Sequence, residues 1–405
     1  MKINIMGAKV LEGTPISGTV PYHPFFKLIF NRPPEGIEFV EDYSGHDETR
    51  YENFIREFRA SCFNAGIQSN EFDAFMSTKN IEGMKSLSDS LPVWCGVVPY
   101  YIGPNDWVLE TEDFWLAFQP WFANNNNRHA DLENSSVVKI LKCLFEMDNF
   151  KGIITHTKDT LSFVNKVFGE KVFNKSAFCQ QAVEICDEDI VDEKHDKDSF
   201  KILFHGSWNH TNRHFRLRGG HEMLEAFNEA NSIDPRIKLT VVYDRRGIGE
   251  SLASYLQSHD SIDYYDTYLS DSELHSLRLQ SDCFCIPAYR LHSMSCLKSM
   301  CLGKPVICSD GWGFDEYIID GYNGVICKGN EASWFDEKGI MREDYNVETP
   351  QKQLTENIKS AMLKMSSSEK LYNNMKKNCK SEYLAKYNIN ERNKVLGKLL
   401  RERFG

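Results

Sequence analysis

Between Ser281 and Gly324 the chain places cations and small polar residues in a pattern that suits an anion. Arg290 and Lys298 flank His292-Ser293, which open a short helical repeat of Met294, Leu297 and Met300, and a loop with Gly311 and Gly313 precedes Glu316. Cations beside the N–H groups of a helix amino terminus attract phosphate or carboxylate oxygens. A second group is acidic: Glu110, Glu112 and Asp113 can act on a hydroxyl as general base or ligand, or simply form a helix start that favours the dipole. Two histidines stand at element boundaries. His23 either caps a helix or reaches a substrate hydroxyl, and His156 precedes T-K-D-T-L-S-F at a strand end.

The elements that must carry these residues follow from short apolar runs alternating with helical periods. Strands are expected at 2–6, 92–98, 106–110, 150–155, 200–204, 239–243, 283–286 and 305–308, with Val325 closing the last sheet. Helices are expected at 52–62, 81–87 and 135–145, a loop at Asn124–Asn127, and a capping box at Ser270 and Glu273. Such alternation predicts doubly wound α/β domains.

The totals narrow the function. A chain of 405 residues holds two domains with separate cores. The net charge of −11 argues against a nucleic-acid partner. The twelve cysteines sit partly in apolar elements without paired spacing, which predicts a reducing, cytoplasmic setting. Cys283-x-Cys285 is too close for a usual zinc pair, so no metal site is expected. Neither Gly-x-Gly-x-x-Gly nor a P-loop follows a first strand.

The order P-x-x-R…K-S-M-C-L-G-K-P-V-I-C-S-D…G-F-D-E-Y-I…D-G-Y-N-G resembles the donor-binding segment of GT-B glycosyltransferases of the family 4 type. H-G-S-W…R-L-R-G-G-H-E-M-L-E-A-F resembles that family's glycine loop, Lys-Gly pair and following helix, with Arg218-Gly219 in place of Lys-Gly. Where the family has two glutamates, this chain has Arg290 and Lys298. The resemblance implies two Rossmann-like domains facing a cleft. It also implies transfer of a sugar from a nucleotide-sugar to a hydroxyl of a glycan or glycolipid acceptor, with no required cofactor or metal and with retained configuration.

Carried onto this sequence, the resemblance assigns chemistry to Arg218, Arg290, Lys298 and His23. Donor binding falls to Gly206, Arg218, Tyr243, Tyr268, Leu269, His292, Ser293, Lys298 and Glu316, and acceptor binding to His23, Glu112 and His156. The Arg290/Lys298 exchange predicts a pocket for an anionic group, either the phosphates or the carboxylate of an acidic sugar. Alternatively, Lys298 points to solvent and Arg290 makes a surface ion pair. Expected boundaries are 1–186 for the acceptor domain, 187–198 for a charged linker, 199–380 for the donor domain and 381–405 for a helix crossing back. The basic C-terminal part is either a solvated helix face or a peripheral contact with the inner membrane face. Two other functions fit the residues: a degenerate GT-B protein that binds without transfer, and a sugar-nucleotide epimerase or hydrolase.

Overall fold

In a computed structural model the residues described are 1–6, 24–40, 42, 47–77, 90–96, 101–113, 129–131, 135–184, 198–206, 212–330, 340–342 and 350–405. His23, the 81–87 helix, the Asn124–Asn127 loop and nearly all of the expected linker lie outside them. The chain forms two compact units. The first comprises Met1–Gln181, Trp334–Asp344 and Ile389–Gly405, and the second Ala182–Ser333 and Tyr345–Asn388.

The first unit contains β1 (Lys2–Met6), β2 (Glu38–Val40), β3 (Val93–Gly96), β4 (Trp107–Thr111), β5 (His129–Asp131), β6 (Phe150–Thr155) and β7 (Ala177–Phe178). Six of these form one sheet in the order β2-β1-β3-β4-β6-β7, every pair parallel. The second unit contains β8 (Phe200–His205), β9 (Ile237–Val242), β10 (Ile262–Tyr265), β11 (Cys283–Ile286), β12 (Val306–Ser309) and β13 (Gly324–Cys327). Its order is β10-β9-β8-β11-β12-β13, again all parallel. The last strand, β14 (Ile340–Arg342), pairs antiparallel with β5.

Helices cover the faces of each sheet, so interior strands are apolar on both sides. All four residues of C-F-C-I in β11 and of V-I-C-S in β12 are buried. Phe204, Leu239, Met223 and Phe227 fill one face of the second sheet, while Leu203, Phe284, Leu297 and Met300 fill the other. The second sheet changes direction between β8 and β11, the first two strands to leave its centre, and ligands of open α/β sheets bind at the carboxyl ends of such a pair.

The final helix, Ile389–Phe404, packs on the first sheet. Its Leu396 and Leu400 join Ile3, Ile5 and Val108 in that core. A π-helical turn at Tyr383–Tyr387 precedes it and re-aims the chain.

Candidate donor site

Three segments meet at the carboxyl end of β8 and β11. Leu217 O accepts from Tyr289 N at 3.1 Å, and Leu291 N donates to Trp312 O at 2.7 Å while Trp312 N donates to Tyr289 O at 3.0 Å. Two glycines permit this. Gly219 has φ +68°, and a Cβ there would sit 2.3 Å from Pro287 O; a Cβ on Gly311 would lie 2.5 Å from Ala288 O. Both positions therefore need a residue without a side chain. Gly219 caps the Gly220–Ile233 helix, and this places Arg218 at that helix's amino end, 4% exposed.

Arg218 is the centre of a basic cluster. Burial lowers its pKa below the usual guanidinium value; the charge of Tyr243 opposes this, and Arg290 adds to the lowering. Tyr243 hydrogen-bonds Arg218, and burial pushes its own phenol up to about 12. Arg290 lies over the Tyr289 ring, 5.7 Å from its centroid. His292 caps the Ser293–Met300 helix without a side-chain cap bond. Burial, then Arg218 and Arg290, hold its pKa well below 6.5, so the ring is neutral. Ser293, the first residue of that helix, is fully buried.

His205 and Arg278 complete the cluster, and the sequence reading did not select them. His205 Nδ1–H donates to Gly206 O at 2.8 Å, which leaves Nε2 to accept from Arg278 Nη2 at 3.1 Å. Burial and the Arg278 charge keep the imidazole neutral, and its ring stacks on Phe284 at 4.8 Å. Arg278 is 4% exposed, and burial lowers its pKa to about 10. A histidine ending an apolar strand just before a glycine, F-K-I-L-F-H-G, was the available signal.

The other expected residues fall as follows. Gly206 donates its N–H to Val242 O at 3.0 Å. Tyr268 is 48% exposed and its charge acts on Tyr243, while Leu269 packs against the core. Lys298 makes an ion pair with Asp271, Nζ to Oδ1 3.5 Å. Its pKa is lowered by burial, with Asp271 opposing, and it acts at longer range on His205. Glu316 ends a 3-10 turn, and its backbone O accepts from Tyr387 Oη at 3.3 Å. The Ser270 capping box is present, with Ser270 N donating to Glu273 Oε2 at 2.8 Å.

In the first unit, Glu110, the penultimate residue of β4, is the hub of a buried network. Trp94 Nε1–H donates to Oε2 at 2.8 Å, Arg392 Nη2 donates to Oε1 at 2.5 Å, and His156 Nε2 lies 2.9 Å from Oε1. Burial alone would raise the Glu110 pKa, but Arg392 and then His156 outweigh it and hold the carboxyl below its usual value. Glu112 is half-buried beside this group, and its backbone O accepts from Thr160 Oγ1 at 3.2 Å. Arg392 was also missed from sequence. Its signal was position: it stands with Ile389, Leu396 and Leu400 on the buried stripe of an otherwise polar helix.

Comparison with known proteins bears on the fold. Residues 187–359 match the sequence model of the family described as glycosyl transferases group 1. A curated, uncharacterised glycosyltransferase of Methanocaldococcus jannaschii is 42% identical over 50 residues, a match spanning 12% of each protein. Among solved structures, sucrose-phosphate synthase of Thermosynechococcus elongatus superposes with TM-score 0.53 at 13% identity, covering 90% of this chain and 83% of that one. Anabaena HepE in complex with UDP and glucose gives 0.53 at 10% identity, covering 90% and 86%. A glycosyltransferase from Rickettsia africae ESF-5 gives 0.53 at 12% identity, covering 99% and 98%. Residues 187–359 thus match the glycosyl transferases group 1 model, and the chain has the GT-B fold of these solved glycosyltransferases.

Proposed function

We propose that this chain transfers a sugar from a nucleoside-diphosphate sugar, held by the second unit, to a hydroxyl of a glycan or glycolipid. The observation that carries the reading is Arg218, a cation buried at a helix amino end where the second sheet changes direction. Burying a guanidinium is costly unless an anion meets it. As the bond between the sugar and the diphosphate breaks, negative charge builds on the leaving oxygens. In this reading Arg218, Arg290 and the amino ends of the Gly220–Ile233 and Ser293–Met300 helices stabilise that charge. Arginine suits the task because its planar fork grips two phosphate oxygens together.

In this reading Tyr243 orients Arg218, and neutral His292 contributes a ring nitrogen without adding charge. Gly206, Tyr268, Leu269 and Ser293 line the nucleotide, and Glu316 serves the ribose or sugar. Lys298 acts through Asp271, which supports a carboxylate near the site. Guanidinium groups carry the electrostatic role, so the proposal needs no metal, and retention of configuration follows from the family likeness. On the acceptor side we assign His23, Glu112 and His156, with Glu110 orienting His156. Because HepE was solved with UDP, UDP is the first probe to use.

A binding protein without transfer is the second reading, favoured by one observation: Lys298 is already satisfied by Asp271. Release of free UDP from a UDP-sugar, with and without acceptor sugars, separates the readings. Acceptor-dependent release supports transfer, release without acceptor supports hydrolysis, and binding without release supports the silent protein.

A further inference from the structure

The run F-K-I-L-F-H-G ends β8 on a side chain to which the proposed transfer gives no part. His205 is buried, and its ring is held on three sides. Phe284 stacks on its face with centroids 4.8 Å apart, Gly206 O lies 2.8 Å from Nδ1, and Arg278 Nη2 lies 3.1 Å from Nε2. A carbonyl oxygen can only accept and a guanidinium can only donate, so Nδ1 carries the proton and Nε2 is bare. A second proton, on Nε2, would meet the N–H groups of Arg278. The contacts therefore fix one neutral tautomer.

Arg278 is an unusual partner for this task. Its guanidinium is buried, its side-chain hydrogen bond among the described residues is the one to His205, and its Nε is buried without a partner. Asp271, on the same helix, and Cys301 act on it through their charge alone. The groups that face His205 from other elements offer no anion: Arg218 before the Gly220–Ile233 helix, Lys298 on the Ser293–Met300 helix and His292 at its start. A cation buried against a neutral ring instead of a carboxylate lowers stability, and such departures concentrate at sites of function.

What the ring holds is the exit of β8. Gly206 N donates to Val242 O at 3.0 Å and Gly206 O accepts from His205, so both backbone polar groups of the first residue after the strand are fixed. Arg218 lies at the same end of the sheet, near enough for its charge to act on His205.

We propose that Arg278 is a positioning residue for the donor: it locks His205 as the neutral Nδ1–H tautomer, and His205 in turn fixes the Gly206 carbonyl beside the bound diphosphate. The role rests on the reading of this face as the donor site. An imidazole free to titrate beside a diphosphate takes up a proton as the anion binds, and the lock prevents this.

The test is calorimetric titration of UDP into the full chain, comparing the parent with Arg278→Met, Arg278→Lys and Arg278→Met/His205→Phe. At about pH 8, where a free imidazole is neutral, Arg278→Met should bind up to about tenfold more weakly, the worth of one net hydrogen bond. At about pH 6.5, in buffers of differing ionisation enthalpy, it should take up more protons on binding than the parent does. The terminal phosphate of UDP titrates alike with all four proteins, so the excess belongs to the protein, and His205→Phe should abolish it. Arg278→Lys, which still donates to Nε2, should restore both readouts. The melting temperature of Arg278→Met should equal or exceed the parent's, because an uncompensated buried charge has gone. Affinity or proton uptake equal to the parent's, or a melting temperature well below it, would show a merely structural arginine and overturn the role while leaving the donor reading in place. A parent that fails to bind UDP would overturn the donor reading and this role together.

Discussion

Glu110 and Arg392 form a 2.5 Å ion pair across 282 residues of sequence, with both side chains at 0% exposure. The pair fastens the last helix to the first sheet and shares its carboxylate with Trp94 and His156. Removing one partner leaves a buried charge uncompensated. Glu110→Gln should therefore cost about 3–5 kcal/mol in urea unfolding.

The same pair sets an acid limb. Arg392 and His156 outweigh burial and depress the folded Glu110 pKa below that of an ordinary glutamate, so the native state holds its carboxylate more firmly than the unfolded chain does. That stabilisation is complete above the unfolded pKa and is lost as pH falls through the folded one. In a pH series of unfolding free energies, Glu110→Gln should flatten the acid slope. An unchanged slope would assign it to other carboxylates.

Gly219→Ala tests how the site is built. Its φ of +68° and the 2.3 Å approach of the added Cβ to Pro287 O force the backbone to move. The left-handed conformation alone costs about 1–2 kcal/mol for a residue with a side chain. Thermal unfolding should drop, and UDP affinity should drop with it because Arg218 is the adjoining residue.

Much of this fold was legible because buried parallel strands have few ways to be written. F-K-I-L-F, L-T-V-V and C-F-C-I are apolar on both faces, and all three are central strands. The edge strands β2 and β10 were not legible. E-F-V is too short, and I-D-Y-Y carries outward polar groups that blur the pattern. At the site, Arg218 was visible through its neighbouring glycines. His205 and Arg392 carried only weak positional signals and Arg278 none, and all three become notable once packing buries them. Lys298 shows the converse: its spacing pointed to a ligand, and the Ser270-capped helix also brings Asp271 to within 3.5 Å of it.

Lys298 and Asp271 should couple weakly, because the two side chains are 25% and 58% exposed. A double-mutant cycle with Lys298→Ala and Asp271→Ala should give about 0.2–1 kcal/mol of coupling in stability. Coupling in UDP affinity well above that would place the pair against the nucleotide.

Cysteine reactivity offers an independent check on the packing of the first unit. A hydrogen bond from Cys62 lowers the Cys143 pKa, whereas burial raises Cys283, Cys285 and Cys308 well above the ordinary thiol value. Alkylation of the native protein near neutral pH, read by peptide mass spectrometry, should label Cys143 before those three. Cys62→Ser should slow it.

Calorimetric titration of UDP into the parent protein and into Arg218→Ala tests the central claim most directly. The account predicts saturable binding by the parent and a loss of about 1.5–3 kcal/mol in the variant, the range for hydrogen bonds to charged groups, with an unchanged circular dichroism spectrum. Equal affinity in parent and variant, with the fold intact, would contradict the assignment of Arg218 to the leaving diphosphate.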